Sequence, residues 1–229
     1  MIIYIGIDDT DNLQSRGTGQ LARRIAVELS TEYKLLGVTR HQLLVDERIP
    51  YTSHNSSAAI TVESDSPADL AMLFERLRAA ILSDFQPGSD PGLCVASQVP
   101  GAVTEFGRRT QVEIINRQEA LNLAAANNIL LSGLGGSEDG VIGALAAVGL
   151  AASGDDGRYL LIGKIREISG LIDVEELYKA GIVAVQTLEG EPVLAGPVLT
   201  DKLRPARRGG KPVQFVTWQE GCWHPVKLD

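Results

Sequence analysis

The chain has 229 residues, 44% of them hydrophobic, and a formal net charge of −8, enough to bury one large core or two small ones but excluding a broad basic surface for nucleic acid. Two cysteines far apart, Cys94 and Cys222, exclude a disulfide framework and a cysteine-built structural zinc cluster. No apolar run approaches the roughly 20 residues of a membrane span or reads as a signal peptide, so a soluble cytoplasmic protein with no membrane partner is expected.

Met1–Ile7, "MIIYIGI", is a nearly continuous β-branched run, as in an interior strand. It leads into an acidic turn, and then Thr18 is placed to cap a helix through "GQLARRIAVELSTEYK", with Leu21, Ile25 and Leu29 on one face. "GVTRHQLLVD" and "SSAAITVES" read as two further strands. "SPADLAMLFERLRAAILSDF" begins as a helix should, with Ser66 as cap, Pro67 at the first helical position and Asp69 in the first turn. "GLCVASQVP", bounded by Pro91 and Pro100, is a fourth strand. The order is βαββαβ, the ferredoxin-like arrangement.

The second half is richer in helix. "RQEALNLAAANN" and "DGVIGALAAVGLAA" read as helices of small residues, "RYLLIGK" as a strand and "DVEELYKAG" as a short helix closed by Gly181. "IVAVQTLEGEPVLAG" is expected to be a hairpin turning at Glu189-Gly190. "DKLRPARRGGKP" reads as a basic linker, and "VQFVTWQEGCWHPVKL" as a terminal hairpin turning at Glu220-Gly221. The expectation is an α+β protein: a core over residues 1–200, divisible into 1–100 and 101–200, then a basic linker and hairpin over 201–229.

Three stretches carry candidate chemistry. In "GIDDTDN" three carboxylates, Asp8, Asp9 and Asp11, fall within four residues, which demands a cation or a set of hydrogen-bond donors. An EF-hand is excluded, because counting from Asp9 puts Gln14 and Gln20 at the positions that need Gly and Glu. Mg²⁺, which takes one or two carboxylates with waters and phosphates, fits. So does a turn in which Asp8 caps, Thr10 bonds locally and Asp11 faces solvent. "RIPYTSHNSSAAI" offers Arg48, His54 and Asn55 to a phosphate or a base, and a solvated hairpin turn explains the same residues. "GLGGSEDGVIGALAAVG" feeds glycines into a helix N-terminus, a usual phosphate site. It lacks the lysine of a Walker loop, and Glu138 and Asp139 repel a bare phosphate. A close-packed Gly/Ala helix is the alternative.

Taken in this order, "GIDDTD", "RIPYTSHNSSAAI" and "GVIGALAAVG" resemble the archaeal tRNA-isoleucine agmatidine synthetase family over about residues 1–195. Those enzymes use ATP to phosphorylate the anticodon-wobble cytidine, and agmatine then displaces the phosphate. The resemblance implies that Asp8, Asp9 and Asp11 bind Mg²⁺ and face ATP, and that Thr18 lies near an autophosphorylated threonine. It places Thr10, Arg48, Tyr51, His54, Asn55 and Gly140 at the nucleotide. "RGTGQLA" differs from the family's Cys-Thr-Thr-like run, and Asp139-Gly140 stands for its Arg-Gly pair. The family's oligonucleotide-binding domain and zinc ribbon have no counterpart in these residues. In their place is a small cluster, Arg204, Arg207, Arg208 and Lys211, with Trp218 and Trp223 as stacking faces; a solvated linker accounts for it more simply. The implied activity is ATP- and Mg²⁺-dependent phosphoryl transfer of ligase type, with an amine co-substrate. The acceptor is tRNA presented by a separate RNA-binding subunit, or a nucleoside or other small molecule. The alternative is a catalytically silent nucleotide-binding or partner-binding domain.

Overall fold

The computed structural model describes residues 1–49 and 54–228. Its first half runs β1 (Ile2–Asp8), α1 (Thr18–Leu29), β2 (Lys34–Gln42), β3 (Ser56–Glu63), α2 (Leu70–Leu82) and β4 (Gly92–Ala96), the expected βαββαβ order. β1 pairs antiparallel with β3 and β4, and β3 with β2, so the strands lie in the order β4-β1-β3-β2. Side chains alternate across the sheet. Ile3, Ile5 and Ile7 are fully buried against Leu21, Ile25 and Leu29 of α1 and Leu73, Leu77 and Ile81 of α2. Tyr4, Gly6 and Asp8 face the other way.

That second face is covered by the helices that follow: α3 (Gly101–Arg109), α4 (Arg117–Ala126) and α5 (Gly140–Ser153), with β5 (Leu130–Gly133) and β6 (Arg158–Leu161) extending the sheet beyond β4 and β2. α5 is buried on nearly every side, as its apolar Gly/Ala composition requires. It touches the sheet backbone to backbone. A Cβ on Gly6 would lie 1.9 Å from the Ala144 carbonyl oxygen, and one on Gly92 2.0 Å from that of Gly140. Only glycine permits such an approach.

The remaining elements are β7 (Gly170–Asp173), α6 (Val174–Lys179), β8 (Ala184–Gln186), β9 (Pro197–Thr200), β10 (Ala206–Arg208), β11 (Lys211–Gln219) and β12 (Cys222–Val226). They continue the same sheet through β6-β10-β11-β12-β9-β7, with β8 beside β11, and enclose a separate core that includes Val174, Leu177, Val185, Val198 and Val216. The described residues thus form an α+β structure of six helices and one twelve-stranded sheet. None of the helices is long and apolar enough to cross a membrane.

Several local expectations are corrected. Thr18 is the first residue of α1, with Gly17 in the cap position. α1 stops at Leu29, where the Ser30 and Thr31 hydroxyls donate to the Val27 and Glu28 carbonyls and close the last turn. α2 starts at Leu70, because the Asp69 carboxylate, not Ser66, accepts from the Ala71 and Met72 amides (both 3.0 Å). The hairpin over 182–196 reduces to β8, a bridge between Gln186 and Pro192 and the Glu189-Gly190 turn, while β9 pairs with β7 and β12. The stretch read as a linker holds β10, which pairs with β6 and β11. The terminal hairpin turns at Glu220-Gly221 as expected, both with positive φ (51° and 83°), the signature of a type I′ turn.

Candidate functional site

The acidic turn opens at the end of β1. Asp8 pairs with Gly92 across the sheet, so antiparallel register brings the residue after β1, Asp9, beside the residues before β4. Asp9 is held in the left-handed region (φ 48°), which Asp tolerates better than most residues. It accepts a hydrogen bond from the Asp90 backbone while the Asp90 carboxylate repels it. Burial, then repulsion from Asp90 and Asp11, pushes the Asp9 carboxyl up to about 6. Burial, then Asp9 and Asp11, pushes Asp8 up to about 8, against a partial offset from the Asp9 amide.

Asp11 turns toward α1. The Thr18 hydroxyl donates to Asp11 Oδ1 (2.9 Å) and accepts from the Thr10 amide (3.2 Å) and the Thr10 hydroxyl (3.1 Å). Thr10 is therefore a buried brace behind Thr18 rather than a wall of the site.

Asp8, Asp9, Asp11 and Thr18 line one side of a cleft of about 410 Å³. Arg48, His54 and Asn55 line it as well, as do Gly140 and Gly143 at the start of α5. Eight of the ten sequence-derived site residues therefore meet here; Thr10 lies behind, and Tyr51 lies outside the described residues. Their roles differ. Arg48 grips Asp46 with two hydrogen bonds of 2.8 Å. The Asn55 side chain donates to the Leu44 carbonyl (2.7 Å), bracing the loop. α5 starts after Asp139, which makes no side-chain cap, and Gly140, Ile142 and Gly143 of its first turn lie on the cleft wall.

The sequence reading missed Asp90, Asn116, Arg117 and Ser137, all on the cleft wall. Asp90 accepts from the Ser137 amide (2.8 Å) and hydroxyl (2.6 Å), tying the glycine-rich loop to the acidic turn. The β1–β4 pairing of a ferredoxin-like sheet was the signal that could have found it. Leu43, Ile49, Ile114, Ile115 and Ile142 add an apolar lining to the cleft. Among the described residues no three His, Cys, Asp or Glu side chains converge in a preformed metal site.

Two other groups do not contribute. Thr39, His41 and Asp156 form a hydrogen-bonded chain (2.8 and 2.7 Å) in the order of a hydrolase triad, yet Thr39 and His41 are buried and the cleft does not reach them. The cations expected to form one patch are dispersed: Arg204 and Arg207 are buried, Arg208 lies over the Phe215 ring, and Lys211 pairs with Arg208 across the β10–β11 turn. Trp218 and Trp223 stand edge to face, their centroids 4.9 Å apart.

No protein-family model and no curated protein matches the chain. Among solved structures it is similar to a tRNA fluorescent labeling enzyme, with 26% identity and a TM-score of 0.57 over 65% of this chain and 36% of that one. The TiaS-tRNA(Ile2)-ATP complex gives the same identity, TM-score and coverage. A TiaS-tRNA(Ile2)-AMPCPP-agmatine complex matches at 25% identity and a TM-score of 0.55, over 65% of this chain and 36% of that one. TiaS is a tRNA(Ile2) agmatidine synthetase. The resemblance to tRNA agmatidine synthetase is thus present in the fold. The chain spans about a third of the length of these structures.

Proposed function

We propose that the cleft binds ATP with Mg²⁺ and transfers a phosphoryl group, in an enzyme of ligase type related to tRNA agmatidine synthetase. The observation that carries this reading is the hydrogen bond from Thr18 to Asp11 at the rim of a cleft whose floor is Asp8 and Asp9. A hydroxyl donating to a carboxylate is the arrangement of an activated nucleophile. The similarity to ATP and AMPCPP complexes of TiaS supports the choice of nucleotide.

The donor set fits a magnesium ion. Asp8 and Asp9 are crowded, desolvated carboxylates whose charged forms are disfavoured without a cation, and two such ligands with waters and phosphate oxygens complete the shell Mg²⁺ prefers. When bound, the ion supplies neutralisation of the charge spread over the phosphoryl oxygens. The chain's own residues do the rest. The isoleucines of the lining offer an apolar surface to a base, the start of α5 borders the phosphates, and Asp11 takes the Thr18 proton as Oγ1 bonds to the γ-phosphorus, the β,γ P–O bond breaks and ADP leaves. Thr10 must yield one of its contacts for that attack, since it occupies the Thr18 lone pairs in the resting state.

The phosphoryl group then passes from Thr18 to an acceptor oxygen, and an amine attacks the carbon bearing it, expelling inorganic phosphate. With a net charge of −8, the acceptor is an RNA nucleoside presented by a separate RNA-binding subunit, or a smaller nucleoside or amine conjugate. The test is release of ADP or AMP from ATP with Mg²⁺ and no RNA. Turnover lost in excess chelator is expected. Absence of turnover, with and without RNA and amines, would favour the silent nucleotide-binding domain.

A further inference from the structure

A second cleft, of about 470 Å³, adjoins the first and shares Asp11, Thr18, His54 and Ser56 with it. Its character is opposite. Six cations line it, Arg23, Arg40, Arg158, Lys202, Arg204 and Lys227, and Asp11 is the carboxylate among the described residues that faces them. They come from separated parts of the chain: Arg23 from α1, Arg40 and Arg158 from facing positions on β2 and β6, Lys202 and Arg204 from the segment before β10, and Lys227 from beyond β12.

These cations crowd one another. Like charges directly opposite on neighbouring strands destabilise a sheet, and Arg40 and Arg158 are such a pair. Arg204 is 7% exposed and donates to the Leu203 carbonyl (2.7 Å). Among the described residues Arg23, Lys202, Arg204 and Lys227 make no ion pair. Burial, then Arg166, Arg23, Arg158 and Arg40, pushes Arg204 down to about 10. Arg204, then burial, lowers Lys202. The first turn of α1, Gly17 to Gln20, closes the same cleft. It has no side-chain cap and no acidic residue, so the positive end of a 12-residue helix points at the cations.

We propose that this basic cleft binds a ligand's phosphate group of two or more negative charges, held by Arg204, Lys202, Lys227 and the amino end of α1. The proposal does not depend on the nucleotide reading of the acidic cleft, since it needs neither metal nor carboxylate. The shared wall at Asp11 and Thr18 gives it a geometric consequence: a ligand anchored here by its phosphate presents its other end to Thr18. A phosphorylated small molecule and the phosphodiester of an RNA offer the same chemistry.

The test is calorimetric titration of the full chain with inorganic pyrophosphate in EDTA, where the acidic cleft has no cation to recruit it. Saturable binding is expected, weakened about tenfold or more in Lys202→Gln/Lys227→Gln, because charge-assisted hydrogen bonds are lost. Both lysines are exposed, so an unchanged melting temperature establishes that the variant is folded. Lys211→Gln, an exposed cation away from the cleft, should leave binding unchanged. Absence of pyrophosphate binding, equal affinity in the double variant, or an equal loss in Lys211→Gln would overturn the site. With the site established, displacement of pyrophosphate by a single-stranded pentaribonucleotide assigns the phosphate to RNA; failure to displace assigns it to a small phosphorylated ligand.

Discussion

Gly143 presses on the carboxylate of Asp8: a Cβ at position 143 would stand 1.8 Å from Asp8 Oδ2. The contact sets the electrostatics of the cleft. By lying this close, α5 shields one side of the Asp8 carboxylate, and burial is the largest cause of its raised carboxyl. Gly143→Ala should therefore push Asp8 aside, with a loss of about 1–3 kcal/mol for an overpacked contact and loss of nucleotide binding. Gly149→Ala meets the Val103 carbonyl oxygen at 2.1 Å, far from the cleft. It should destabilise similarly and leave binding intact. Thermal melts paired with ATP titrations in Mg²⁺ separate the two.

Asp8 predicts a pH dependence with a definite sign. Its folded value, about 8, lies above the ordinary 3.8, so folding favours the protonated form. Its contribution is fully present below pH 3.8 and is lost as pH rises through about 8. In EDTA, Asp8→Asn should melt with wild type near pH 4 and progressively above it toward pH 8. An Asp8 that merely caps a turn gives the opposite result, a lower midpoint for the variant in the neutral range.

Metal binding must displace that proton. Affinity for ATP in Mg²⁺ should rise between pH 6 and pH 8, and Asp9→Asn should weaken it by about tenfold or more while the fold survives. Equal ATP affinity in excess chelator, measured in the Lys202→Gln/Lys227→Gln background to silence the basic cleft, would count against a metal on these carboxylates.

Thr10→Val removes the hydroxyl that donates to Thr18 at 3.1 Å and keeps the amide bond at 3.2 Å. One lone pair of Thr18 is then free. Phosphorylation of Thr18 should accelerate, at a stability cost of about 1 kcal/mol for the lost hydrogen bond. A slower reaction would show that Thr10 orients the nucleophile instead of occupying it.

Parts of this picture were legible in the sequence because they are local. The β-branched run of Met1–Ile7 announces an interior strand, and three aspartates after it announce a cation problem without any fold. Asp90 carries no local signal, because its place beside Asp9 comes from the pairing of Asp8 with Gly92, on strands far apart in the chain, and only the expected strand order points to it. The basic cleft was illegible for the same reason. Arg23, Arg40, Arg158 and Arg204 carry no local pattern, and the β2–β6–β10 pairings assemble most of it. α3 was passed over because "GAVTEFGRR" is short and holds two glycines, whose lack of side chain is what lets Gly107 fit against α5. The linker reading of residues 201–212 failed because Arg204 and Arg207 are buried in and beside β10, while their charge suggested solvent.

The most direct test of the central claim is incubation of the chain with γ-labelled ATP and Mg²⁺, followed by mapping of any label that stays on the protein. Phosphothreonine at position 18, absent in EDTA and in Asp11→Asn, is the predicted result. ATP consumed with no label on Thr18, or label undiminished by Asp11→Asn, would contradict the account.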